Sequence, residues 1–253
     1  MTKETGELMN DNNSDMLFSD VYNNVLPFRD LILRISKIAK VIHQQGWAEA
    51  NAGNISIRIS NMLIPFIQKN GWENNYPYQD WFLVSKTGSR FRDMIDEPEN
   101  CLMIIGVGNE EHYFPEDAKP TSEWLCHRKM QEMNKHTNLS CILHTHPTEV
   151  IALSNTSFFI DNKKYPKCLN EHFYEALPEI RFFLPQGIAI ADYAPPGSSV
   201  LAKKSCKSIN DKQALIWEKH GLLVIAENID IALDLTEVIN KAAKLCLLKL
   251  LKS

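Results

Sequence analysis

The chain has 253 residues, a formal net charge of −4 and 44% apolar residues. That length buries a sizeable core without staples, and the mild acidity excludes the broad basic surface that nucleic acid or an anionic membrane requires. Six cysteines, none in a C-x-x-C pair and several inside apolar runs, point to buried thiols in a reducing compartment rather than a disulfide framework.

Residues 1–20 read as a loose polar leader and 21–253 as one domain. The opening "MTKETGELMNDNNSDM" lacks the apolar core of a signal peptide. No run approaches the ~18 apolar residues of a membrane span, so a cytoplasmic location is expected. From Val25 to Gln45, the residues Phe28, Leu31, Ile32, Ile35, Ile38, Ala39 and Ile42 recur at three and four, which predicts an amphipathic helix ending at Gly46. "GWAEANAGN" is a loop. Strands are predicted at "ISIRI", "MLIPF", "WFLVS", "CLMIIGV" and "EHYF". "KPTSEWLCHRKMQEMNK" reads as a helix opened by Pro, Thr and Ser. "LSCILHTH" is a strand, and "PTEVIALSN" begins a helix with Pro147 in its first turn. "IRFFLP" and "GIAIADY" read as strands, 198–210 as a helix, "ALIWE" and "LLVIA" as strands around "KHG", and Ile231–Leu250 as a final helix. No repeat or interior linker interrupts the pattern, so a mixed α/β domain around a central sheet is expected.

On a strand, residues i and i+2 share a face. His144 and His146 would then project side by side, near enough for one metal. Alone, the H-x-H motif fits two hydrogen-bonded sheet histidines equally well. A catalytic zinc commonly takes three protein ligands and keeps one open position. His220, between two apolar strands and followed by Gly221, is the best third ligand. Glu123 falls in the first turn of its predicted helix, where Thr121, Ser122 and free N–H groups could bind an anion. An ordinary cap explains the same residues. "NAGNISIR", with Asn51 and Asn54, and "SKTGSRFRD", with Thr87, Gly88 and Ser89, could wrap a phosphate or merely end hairpins. Neither has Walker or dinucleotide-binding spacing.

Taken in order, "NAGN", "SKTGSRFRD", "PTSE", "HTH" and "HG" resemble the class II aldolase/adducin family, from "GWAEANAGN" to the last helix. "GWAEANAGN", "FLVSKTGSRFRD" and "FLPQGIAIADYAPPGS" are similar to its bacterial rhamnulose-1-phosphate aldolase branch. The resemblance implies a three-layer α/β/α fold with a central mixed, mainly antiparallel sheet, and a homotetramer. It implies Zn2+ held by His144, His146 and His220, and Glu123 as the catalytic carboxylate beside it. It places the substrate phosphate at Asn51, Asn54, Thr87, Gly88, Thr121 and Ser122. A second acid/base, supplied by a neighbouring subunit, lands on Glu179, with Glu175 as a nearby alternative. Thr87 departs from the serine usual there: the hydroxyl is kept, with added bulk.

The implied reaction is reversible cleavage of a ketose 1-phosphate, similar to rhamnulose 1-phosphate, to dihydroxyacetone phosphate and a small hydroxyaldehyde such as lactaldehyde. Zinc would act as a Lewis acid on the charge left when the C–C bond breaks, and a nearby carboxylate would move the proton. A zinc sugar-phosphate dehydratase or epimerase of the same fold is the alternative within enzymes. A non-catalytic adducin-like interaction module is the alternative outside them.

Overall fold

Sheet formation starts from strands whose apolar residues face both ways. The structure, a computed structural model, describes residues 13–251. It opens with α1 (Asn13–Asn24), α2 (Leu26–Gln44), β1 (Asn54–Arg58), α3 (Ser60–Lys69) and β2 (Asp80–Ser85). A single 3-10 turn at Asp93–Ile95 precedes α4 (Pro98–Cys101), β3 (Leu102–Val107), β4 (Glu111–Phe114) and α5 (Trp124–Met133). Then come β5 (Cys141–Thr145), α6 (Thr148–Ser154), α7 (Ser157–Asn162), α8 (Pro166–Ala176) and α9 (Ile180–Phe183). The chain continues through β6 (Ala189–Ala191), α10 (Ser199–Ile209), β7 (Ala214–Trp217), β8 (Gly221–Ala226) and α11 (Ile229–Leu250).

Several expectations are corrected. Residues 13–20, read as part of a loose leader, enter α1, which buries Leu17 and Val21 in the core; residues 1–12 of that leader lie outside the described residues. "MLIPF" is helical because Leu63 and Ile67, four apart, are the residues that bury. A short apolar run carries no period of its own, which is why it read as a strand. "IRFF" is a helical turn, with Ile180 buried and Phe182 and Phe183 exposed. The helix after "KPTS" begins at Trp124, so Glu123 is its N-cap and not a first-turn residue.

Eight strands form one sheet in the order β4-β3-β2-β1-β5-β8-β7-β6. Every pair is antiparallel except β6 with β7. Alternation splits each strand between two cores. Along β8, Leu222, Val224 and Ala226 join the cluster under α2 and α11, whereas Leu223 and Ile225 join the cluster under α5 and α10. Helices therefore cover both faces, in three layers. In α2, burial of Phe28, Ile32, Ile35, Ile38 and Ile42 contributes about 1.5–3 kcal/mol per side chain relative to exposure. Among the described residues no helix is long and apolar enough to cross a membrane. The cysteines are all free; Cys101, Cys126, Cys141 and Cys246 are buried and Cys206 is partly so, but Cys168 is exposed on α8.

One seam between helix and sheet is polar. On β1, Ile55 and Ile57 enter the core under α2, so Asn54 and Ser56 face α5. On α5 and its cap, Glu123, His127 and Gln131 recur at every fourth residue. Four helical residues rise about 6 Å and two strand residues about 6.6 Å, so the two polar rows stay in step. Asn54 Nδ2 donates to Glu123 Oε2 at 2.8 Å, His127 Nδ1 pairs with Ser56 Oγ at 2.9 Å, and Gln131 Nε2 donates to Ser56 Oγ at 3.2 Å. His127 is fully buried, and burial pushes its pKa down to about 4.

Candidate active site

The central strands bring distant histidines together. β5 lies between β1 and β8, with His144 opposite Asn54 on one side and Leu223 on the other. His144 Nδ1 donates to the Leu222 carbonyl at 2.9 Å. His146 follows the end of β5; its N–H donates to Trp47 O at 2.7 Å and its Nδ1 to Glu49 Oε1 at 2.8 Å. Trp217 and Gly221 are register partners, so Glu218, Lys219 and His220 form a three-residue connection between β7 and β8. Lys219 takes a left-handed φ of +59° there, a conformation that costs free energy and that the surroundings must enforce. Glu218 anchors the connection by accepting from Lys163 Nζ at 2.9 Å and from the Tyr193 N–H at 3.0 Å. Gly221 admits no side chain: a Cβ would lie 2.5 Å from Thr145 O and 2.9 Å from His146 Cδ2. Trp217 stacks on the His220 ring, centroids 5.0 Å apart.

His144, His146 and His220 each offer a nitrogen within 4.8 Å of the others. Their hydrogen bonding fits a cation. Leu222 O and the Glu49 carboxylate are acceptors, so both Nδ1 atoms carry the proton and both Nε2 atoms carry lone pairs. Those two Nε2 atoms stand 3.2 Å apart, an arrangement that a shared positive ion satisfies and a hydrogen bond does not. Burial, assisted by His146, pushes the His144 pKa well below the ordinary range. Burial and then His144 push His220 down to about 3. Both imidazoles therefore stay neutral, the form that binds metal.

Glu123, 5% exposed, reaches the same centre. Its Oε2 is 3.5 Å from His144 Nε2 and its Oε1 is 3.5 Å from His220 Nε2. Around them opens a cavity of about 350 Å³, a size suited to a small ligand. Asn51, Asn54, Thr87, Gly88, Thr121 and Ser122 all line it. Asn54 also spends its amide donor on Glu123, a contact the sequence reading did not contain. The loops interlock through the backbone: Thr87 N donates to Lys119 O at 2.8 Å and Thr121 N to Ser85 O at 2.9 Å. Gly53, at φ +77°, packs so closely on His144 O and Phe91 that a Cβ would lie 2.9 Å from each.

Glu179 and Glu175 are not brought to this cavity. Glu179 is exposed at the start of α9, and Glu175 lines a separate hollow with Phe158, His172 and Cys246. Ser89, named with Thr87 and Gly88 in the sequence, lines the cavity too, whereas Glu49, Lys86 and Pro196 line it and were passed over. Glu49 and Lys86 stand beside the flagged "NAGN" and "TGS" segments, and adjacency to those loops was the only signal for them.

Burial opposes ionisation of Glu49, but its hydrogen bond to His146 and the nearby imidazoles outweigh this and lower its pKa. Its partner atom is the nitrogen that fixes the His146 tautomer. Glu49→Gln is expected to weaken divalent-metal affinity by roughly 10–100-fold, measured by competition with a fluorescent chelator. Unchanged affinity would show that Glu49 does not orient His146.

A family model described as "Class II Aldolase and Adducin N-terminal domain" matches residues 34–247. The chain is 28% identical over 225 residues to the rhamnulose-1-phosphate aldolase of Bacteroides thetaiotaomicron, spanning 83% of this chain and 82% of that one. It is 27% identical over 219 residues to the enzyme of the same name from Listeria welshimeri, spanning 80% and 77%. The crystal structure of a sugar-phosphate aldolase from Thermotoga maritima superposes with a TM-score of 0.72 at 28% identity, covering 89% of this chain and 97% of that one. An L-fuculose 1-phosphate aldolase shares the fold, at a TM-score of 0.60, 20% identity and 88% coverage of both chains.

Proposed function

The chain belongs to the class II aldolase and adducin family and is an aldolase, a lyase; from that premise we propose that it cleaves a ketose 1-phosphate related to rhamnulose 1-phosphate. The products are dihydroxyacetone phosphate and a small hydroxyaldehyde such as lactaldehyde. The carrying observation is the position of Glu123, whose two oxygens each lie 3.5 Å from a different imidazole of the triad, inside one cavity with three polar loops.

His144, His146 and His220 would hold Zn2+, which suits three neutral nitrogen donors with a position left open and supplies a Lewis acid for the negative charge that develops at the ketone oxygen. The loops at Asn51, Asn54, Thr87, Gly88, Thr121 and Ser122 hold the phosphate and so fix which carbon faces the carboxylate. When the bond between the third and fourth carbons breaks, Glu123 delivers a proton to the third carbon and yields the hydroxymethyl end of dihydroxyacetone phosphate. Asn54 orients that carboxylate through its 2.8 Å bond.

The fourth-carbon hydroxyl must lose its proton to become the aldehyde. We assign this step to Glu179 from a neighbouring copy in a homotetramer. Its exposure supports this, as does the neighbouring Phe182, which is 87% exposed and would gain from burial in an interface. A reducing cytoplasm suits the free thiols.

A coupled assay of dihydroxyacetone phosphate release, run on metal-loaded protein with a panel of ketose 1-phosphates, tests the reading. Release from the rhamnulose-like members is expected. No release from any member, with metal bound, would sink it and leave dehydration or epimerisation to be assayed on the same panel.

A further inference from the structure

The charge of the cavity wall does not match its proposed ligand. A phosphate monoester carries about −1.5 to −2 at neutral pH. The described lining residues include two acids, Glu49 and Glu123, and one lysine, Lys86; the remaining polar residues outside the triad carry neutral amides and hydroxyls. Neutral donors can hydrogen-bond a phosphate, and the Zn2+ proposed at the triad would offset the two acids, so Lys86 is the one cationic side chain of the described lining left to oppose the phosphate's own charge.

Lys86 directly follows β2, and its N–H donates to Cys101 O at 2.9 Å. It forms an isolated bridge with Pro120. Thr87 and Gly88 follow it in the chain, and Thr121 and Ser122 follow its bridge partner. Lys86 is thus flanked by two of the three loops that make the phosphate site. Its side chain is partly buried and makes no ion pair with a described carboxylate. The nearby arginines are otherwise engaged: Arg90 and Arg92 lie 3.9 Å and 3.7 Å from Asp93 and do not line the cavity. Lys86 also borders a second hollow of about 340 Å³, shared with Phe18 and Tyr22 of α1 and with Glu99. The lysine is therefore common to the linings of both spaces, and the second offers apolar surface to its alkyl stem.

We infer that Lys86 is a substrate-binding residue: its ammonium supplies the positive charge that holds the substrate's phosphate. The inference rests on the aldolase reading for the identity of the substrate, but not for the binding of phosphate itself. Selectivity for phosphorylated over unphosphorylated ketoses then depends on Lys86, and affinity falls with rising ionic strength.

The test is calorimetric titration of inorganic phosphate, and separately of dihydroxyacetone phosphate, into metal-loaded wild type, Lys86→Met and Lys86→Arg, with melting temperatures recorded. Loss of one charged hydrogen bond in Lys86→Met is expected to weaken both Kd values by roughly 10–100-fold and to flatten their salt dependence. Lys86→Arg should recover most of the loss. With a cleavable ketose 1-phosphate, KM should rise more than kcat falls. Equal phosphate affinity in Lys86→Met and wild type would overturn the assignment. So would a lowered melting temperature with no change in Kd, the signature of a lysine that serves only the packing of the fold, or a wild type with no measurable phosphate binding. A wild type that binds phosphate through Lys86 yet cleaves no ketose phosphate would support the assignment and reject the aldolase reading.

Discussion

Glu123→Ala is expected to lower retro-aldol turnover by roughly 10²–10⁴-fold, the range for loss of a positioned acid–base group, while the protein keeps its metal. Glu123 caps α5 with its backbone but makes no side-chain cap bond, so the helix start loses little when the carboxylate goes. The three donor nitrogens are each fixed from elsewhere: His144 by Leu222 O, His146 by Glu49 and His220 by the turn packed on Trp217. The substitution does free the Asn54 amide, which donates to Glu123. Glu123→Gln, nearly isosteric but unable to move the proton, separates the two effects and should be as inactive as alanine. Steady-state kinetics together with metal analysis decide the matter. Turnover within threefold of wild type in either variant would remove Glu123 from the mechanism.

His146→Ala is expected to leave the chain folded but without stoichiometric metal, and to reduce turnover to background. His146 is the best ligand to remove. His144 is 1% exposed and bonded to Leu222 O, so its truncation would open a hole between β5 and β8. The His146 side chain is 14% exposed and lies beyond the end of β5, so its loss costs little packing. Two remaining imidazoles cannot complete the three-ligand set of a catalytic site. The readouts are elemental analysis after dialysis and the unfolding midpoint. Full metal occupancy in His146→Ala would show that the ion is held elsewhere. Chelation of the wild type should abolish turnover, and re-addition of single divalent ions then tests zinc as the physiological metal.

Much of the site was legible because its parts are short and local. "HTH" sets two imidazoles two residues apart, the first on β5 and the second just beyond its end, "KHG" marks a tight connection with a residue that allows close approach, and "PTSE" marks a helix start. Each alone fitted an ordinary structural explanation, and their order along the chain gave the family resemblance. The misreadings have the same physical origin. "MLIPF" and "IRFF" are too short for periodicity to distinguish strand from helix, and the side they bury depends on neighbours far away in sequence. Residues 13–20 looked polar overall, but α1 needs only a narrow stripe, Leu17 and Val21, to dock on α2.

By itself the sequence determined the mixed α/β character and the chemical types available to the candidate site: three imidazoles, a carboxylate at a helix start and hydroxyl-bearing loops. These follow from local periodicity and from the side chains themselves. Only the tertiary structure decided which groups meet. The β1–β5–β8 register sets Asn54 opposite His144, and the matched rises of α5 and β1 bring Glu123 to the imidazoles. The fold also places Glu49 behind His146 and Lys86 between two loops, and leaves Glu179 exposed away from the cavity. Such contacts join residues tens of positions apart, and pairing and packing across that distance leave no period in the chain to read.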